Sequence, residues 1–180
     1  NGAVDEIRPK VIVILIGTNN SGQRQDPAVE TAAGIDAILA DIGKRLPTTK
    51  ILLLALFPRA PAVDGELRQY IHQLNLDTNA IISNFAHCDR ITFLDINKIF
   101  LDETGQIKSD VMLDLLHLNE KGYRLWAEAV EPTLARLLDE ESWGLAPFVR
   151  DPFYVDRDYN APIPRTYWIE VSAECNLKCP

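Results

Sequence analysis

Apolar residues gather in three short unbroken runs, Val11 to Ile16, Ile51 to Leu56 and Ile91 to Leu94. None shows the alternation of a strand with one wet face, so all three predict central parallel strands buried on both sides. Between them the spacing becomes helical. Ile35, Ile38, Leu39, Ile42 and Leu46 mark one apolar face, and Leu67, Tyr70, Ile71, Leu74, Ile81, Ile82 and Phe85 mark a second. Strand and helix therefore alternate, the pattern of βαβ units in an α/β fold. Asp26 is placed to cap the first helix with Pro27 at its first position, and Leu46-Pro47 marks its end. After the third run a polar loop passes through Asp102, Gly105 and Asp110 to a last helix. Its apolar face is Tyr123, Trp126, Val130, Leu134, Leu137 and Leu138, and Asn119 is its cap. Pro132 falls inside that pattern and predicts a kink or a division of the helix, because proline removes a backbone donor.

From Glu141 the regularity ends. Pro147, Pro152, Pro162 and Pro164 are interleaved with Trp143, Phe148, Phe153, Tyr154 and Tyr159 at no sustained period, so 141–165 reads as a linker that packs through its aromatics. Thr166 to Val171 then reads as a new strand. A chain of 180 residues accommodates one ordinary domain and a short remainder. The division expected is a domain over 1–140, the linker, and the start of another domain over 166–180.

Composition narrows the partners. Lys and Arg number 18 against 26 Asp and Glu, a net charge of −8 that lacks the basic footprint of phosphate-backbone binding, so nucleic acid is not expected. No apolar run approaches the roughly 18 to 20 residues that span a bilayer, so no membrane span is expected. Three cysteines cannot make a disulfide framework and fit a reducing, cytoplasmic compartment.

Ligands of open parallel sheets collect beyond the carboxyl ends of the strands, so the residues after each strand are the first candidates for chemistry. Gly17-Thr18-Asn19-Asn20-Ser21-Gly22 follows the first run. It reads either as a plain turn or as a crevice in which an Asn amide donates to a developing oxyanion. Asp114-Leu115-Leu116-His117 precedes the last helix. It reads either as a surface Asp beside a helix-entry His, or as a pair in which the carboxylate accepts from the imidazole and leaves the other ring nitrogen as a base. His72 and His87 have no acidic orienter and read as structural, and Asp95 as a capping or turn residue.

Taken together, Ile14-Leu15-Ile16-Gly17-Thr18-Asn19-Asn20, Leu54-Ala55-Leu56-Phe57-Pro58-Arg59, and Asp114-Leu115-Leu116-His117-Leu118-Asn119 with Lys121-Gly122-Tyr123 resemble the SGNH (GDSL-like) hydrolases. The branch most resembled contains the platelet-activating factor acetylhydrolase catalytic subunits, over about residues 1 to 138. The resemblance implies a flavodoxin-like three-layer α/β/α fold with a parallel sheet. It implies Asn19 as an oxyanion donor, Asp114 and His117 as acid and base of a Ser-His-Asp triad, Gly17 as support for the turn, and Arg59 as lining of the rim. Small acyl esters, such as acetyl groups on sugars or lipids, are the substrates it implies, with no cofactor.

The chain departs from this family in two respects. Members carry the nucleophile in a Gly-Asp-Ser block after their first strand and a Gly donor after the next, and this chain has neither: Ser21, Ser83, Ser109, Ser142 and Ser172 lie in no such block. The expectation is the C-terminal part of an esterase domain, with the serine supplied upstream and an edge of the sheet left open. The rival is a binding module of the same fold without a nucleophile. A nucleotide-binding domain is disfavoured, because no Gly-x-Gly-x-x-Gly follows any strand.

The tail carries a separate resemblance. Tyr167-Trp168-Ile169-Glu170-Val171 followed by Cys175-Asn176-Leu177-Lys178-Cys179-Pro180 resembles the opening strand and cluster loop of radical S-adenosylmethionine enzymes, whose pattern is C-x-x-x-C-x-x-C. It implies Cys175 and Cys179 as ligands of a [4Fe-4S] cluster with S-adenosylmethionine as cofactor. A third cysteine would fall at the second position past Pro180.

Overall fold

The structure, a computed structural model, describes residues 8–59, 66–86, 89–138 and 166–170. Its elements run β1 (Val11–Leu15), α1 (Ala28–Arg45), β2 (Lys50–Leu54), α2 (Glu66–Ile82), β3 (Ile91–Leu94), α3 (Glu120–Leu138) and β4 (Thr166–Glu170). The strands form one parallel sheet in the order β3-β2-β1-β4, with Val13 opposite both Leu52 and Trp168.

The continuous apolar runs follow from the layering. Successive strand residues point to opposite faces. Val11, Val13, Leu52 and Leu54 meet Phe100, Met112, Trp126 and Val130 on one side, while Ile12, Ile14, Ile51 and Leu53 meet Ile35, Leu39, Ile42 and Ile82 on the other. With α3 over one face and α1 and α2 over the other, β1 and β2 have no wet side. The three-layer α/β/α arrangement is thus the one expected.

Several local expectations are corrected. β3 lies at the edge of the sheet, and all four of its residues are only half-buried. Pro27 is the N-cap of α1 rather than its first residue, and Asp26 does not cap. The Asp26 carboxylate instead accepts from Asn20 Nδ2 at 2.8 Å and Arg24 Nε at 3.3 Å, drawn into the preceding turn. Pro132 does not divide α3, which runs unbroken over Glu120–Leu138. It sits on the exposed side, where the Glu128 carbonyl it deprives of a donor is on a solvent-facing residue. Asn119 caps as expected, its Oδ1 accepting from Gly122 N at 3.0 Å.

The face of α2 is less apolar than its spacing suggests. Leu67 and Tyr70 are exposed, and Asn75, Thr78 and Asn79 are buried. The two asparagines serve the chain leaving β2. Asn79 accepts from Leu56 N and donates to Leu56 O, while Asn75 donates to Phe57 O. Asn97 adds a second donor to Leu56 O at 2.9 Å. Side-chain amides thereby replace the sheet partners this backbone has just left.

β4 hydrogen-bonds along the whole of β1, so the edge expected to stand open is paired over Val11–Leu15. The segment read as the opening strand of a further domain thus lies in the same sheet. Residues 1–7, 139–165 and 171–180, and with them the linker and both Cys175 and Cys179, fall outside the described residues, as do His87 and Cys88.

Two contacts orient α3. Its last carbonyls accept from lysines at the start of the strands, Leu137 O from Lys50 at 2.7 Å and Leu138 O from Lys10 at 3.5 Å. Cations there also suit the negative end of the helix dipole. Near its other end Trp126 meets Phe57, just past β2, at 6.0 Å between ring centroids. The helix therefore runs antiparallel to the strands. Its N-terminus, with His117 immediately before it, lies at the carboxyl end of the sheet, the end from which Gly17 to Asn20 emerge.

Candidate active site

The turn after β1 depends on Gly17, whose φ of +119° is left-handed territory that other residues avoid. A Cβ there would also press to 3.2 Å against Leu56 and Thr31. Gly17 O accepts from Asn20 N at 3.0 Å, and a π-helical turn follows over Asn20–Arg24. Asn19 stands at the head of that turn, half-buried, with no capping hydrogen bond from its side chain. Its amide is not committed to capping and can serve a ligand.

Ser21 is closed off. It is buried, and its Oγ donates to Thr18 O at 3.1 Å. Ser83 Oγ donates to Ala80 O at the end of α2. Among the described residues no serine hydroxyl is hydrogen-bonded to His117.

Arg59 is a correction to the sequence reading. Instead of lining the rim it is buried, with Nη1 donating to Thr18 O at 2.5 Å. The Asn79, Asn75 and Asn97 bonds to Leu56 and Phe57 deliver it there, and burial holds its pKa below the ordinary guanidinium value.

Before α3 the structure brings the second pair together. Asp114 Oδ2 and His117 Nδ1 lie 2.6 Å apart. The other carboxylate oxygen accepts from the backbone amides of Leu116 at 3.0 Å and His117 at 2.7 Å. This tight turn requires Leu115 at φ +59°, a conformation that costs a bulky residue about 1 kcal/mol or more. Strain of this kind is maintained where the geometry is used. With Nδ1–H given to the carboxylate, Nε2 keeps its lone pair and is free as a base. Both side chains are more than half exposed, so a substrate can reach them. The loop is anchored by Asn119 Nδ2 donating to Asp110 O and by the Lys121–Asp110 ion pair. A Cβ on Gly122 would come within 2.6 Å of Val111 O, which lets α3 start close against this loop.

The hydrogen bond from His117 lowers the Asp114 pKa to about 2, helped by the His117 and Leu116 amides. Depression means that the unfolded carboxylate takes up its proton first. The stability this pair contributes is therefore present above the unfolded value of about 3.9 and lost as pH falls toward the folded one. Carboxyl-carbon NMR should give Asp114 a midpoint of about 2, and His117→Ala should move it up into the ordinary carboxylate range. An ordinary midpoint with His117 present would mean that the bond does not form in solution.

Asp95 Oδ1 accepts from Asn97 N and shapes a turn, as expected. Among the described residues no group of three or more His, Cys, Asp or Glu could hold a metal ion, and no helix is long and apolar enough to cross a membrane.

The profile of the GDSL-like Lipase/Acylhydrolase family matches residues 1–125. The chain is similar to platelet-activating factor acetylhydrolase IB subunit alpha2 of Rattus norvegicus, 35% identical over 141 residues, covering 78% of this chain and 58% of the relative. Subunit alpha1 of Homo sapiens is 32% identical over 150 residues, covering 83% and 62%. The chain thus spans less than two thirds of the length of these relatives. A carbohydrate esterase family 3 structure from Talaromyces cellulolyticus, 17% identical, superposes with a TM-score of 0.54 over 78% of this chain and 64% of that one, a likeness of fold.

Proposed function

Because the chain belongs to the GDSL-like lipase/acylhydrolase family, we propose that it carries the base, its orienting acid and one oxyanion donor of an acyl-ester hydrolase whose nucleophilic serine lies on a segment preceding Asn1. The observation that carries this reading is the 2.6 Å Asp114–His117 contact at the carboxyl end of the sheet. His117 Nε2 takes the serine proton as Oγ attacks the ester carbonyl, and the imidazolium that results is stabilised by Asp114. The carbonyl oxygen becomes an oxyanion to which Asn19 donates. Collapse expels the alcohol, which receives the proton from Nε2. Water, deprotonated by the same nitrogen, then releases the acid and restores the serine. An acyl group of acetyl size on a sugar or lipid alcohol is the substrate we propose, a size supported by the acetylhydrolase names of the curated relatives.

Turnover of p-nitrophenyl acetate tests the reading. The full-length natural protein should hydrolyse it, and residues 1–180 alone should not, because base and oxyanion donor without a nucleophile leave nothing to acylate. Turnover by residues 1–180 that is lost in Ser21→Ala would overturn it. A full-length protein that binds acyl esters without hydrolysing them would favour the binding module.

The tail is a separate proposal. Cys175 and Cys179 would open a cluster loop continued beyond Pro180. Two thiolates are one short of the three such a cluster takes, so the residues present do not complete its site.

A further inference from the structure

Arg59 is an unusual residue to bury. The residue is 7% exposed, and among the described residues its Nε has no hydrogen-bond partner and no carboxylate pairs with it. A buried guanidinium is tolerated only where its donors are used. Among the described residues its hydrogen bonds run to a single residue, Thr18, with Nη1 at 2.5 Å from the carbonyl and 3.4 Å from Oγ1. The same carbonyl accepts from Ser21 Oγ at 3.1 Å. Two donors from different parts of the chain thus converge on the one carbonyl whose peptide leads into Asn19. The neighbouring turn leaves room for this arrangement, because a Cβ on Gly22 would land inside the guanidinium.

We infer that Arg59 is a positioning residue for Asn19, fastening the Thr18–Asn19 peptide to the end of β2 so that the Asn19 amide is held where the oxyanion forms. The inference rests on the acyl-transfer reading above. It makes β2, through Asn79, Asn75 and Arg59, the rigid support of a donor that follows β1. A loose donor is costly because hydrogen bonds that strengthen in the transition state demand prior alignment.

The test has two arms in the full-length natural protein. In the first, Arg59→Met should lower kcat for p-nitrophenyl acetate by about tenfold to a hundredfold with KM little changed. Gly22→Ala, which displaces the guanidinium from the other side, should do the same. Combined with Asn19→Ala, Arg59→Met should add almost nothing, because both act through one hydrogen bond. A multiplicative double variant, or a loss confined to KM, would overturn the inference. The second arm needs no turnover. In the unsubstituted protein the Asn19 side-chain amide should give an NMR pair dispersed from the random-coil asparagine position that collapses in Arg59→Met while the Asn75 and Asn79 amides stay in place. An Asn19 signal unmoved by Arg59→Met would overturn it even if the protein proved to hydrolyse nothing. Absence of turnover beside a collapsing Asn19 signal would instead remove the hydrolase reading and leave the positioning intact.

Discussion

Under the proposed mechanism His117→Ala should lower kcat for acyl-ester hydrolysis by the full-length natural protein about ten-thousand-fold or more, the scale on which a serine triad fails when its base is removed. KM stays close to its original value, because Nε2 acts on the proton in transit and not on the bound ester. Asp114→Asn costs less. Its side-chain oxygen can still accept from the Leu116 and His117 amides, so the turn survives, but an amide nitrogen facing Nδ1 favours the tautomer with the proton on Nε2. Steady-state kinetics of the two variants should rank them in that order. An Asp114→Asn loss exceeding that of His117→Ala would contradict the roles assigned.

The second large effect belongs to Asn19. Under the proposed mechanism Asn19→Ala should lower kcat about 100- to 1000-fold with little change in KM, because its hydrogen bond would strengthen only as the carbonyl oxygen gains charge. An effect confined to KM would assign Asn19 to ground-state binding.

How far these sites are legible in the sequence depends on whether a residue acts locally. Asp114 and His117 are three positions apart in one turn, so their pairing is readable from spacing, although the left-handed Leu115 that closes the turn is not, since leucine gives no signal of positive φ. β1 and β2 are legible because burial on both faces leaves unbroken apolar runs. β3 shows the same run but lies at the edge, since strand order is decided by which helix covers which strand. The Arg59 to Thr18 contact joins residues 41 apart and escapes any local pattern. The amide cluster that delivers Arg59 does leave a trace. Asn75 and Asn79, four apart, interrupt the face defined by Ile71, Leu74 and Ile82, and polar residues on a buried helical stripe call for a partner.

Labelling the full-length natural protein with a fluorophosphonate, which phosphonylates an activated serine with loss of fluoride, and mapping the adduct by peptide mass tests the shared claim of these predictions most directly. A single adduct on a serine preceding Asn1, abolished in His117→Ala, is the predicted result. An adduct on Ser21 or any other serine within residues 1–180, or one retained in His117→Ala, would contradict it.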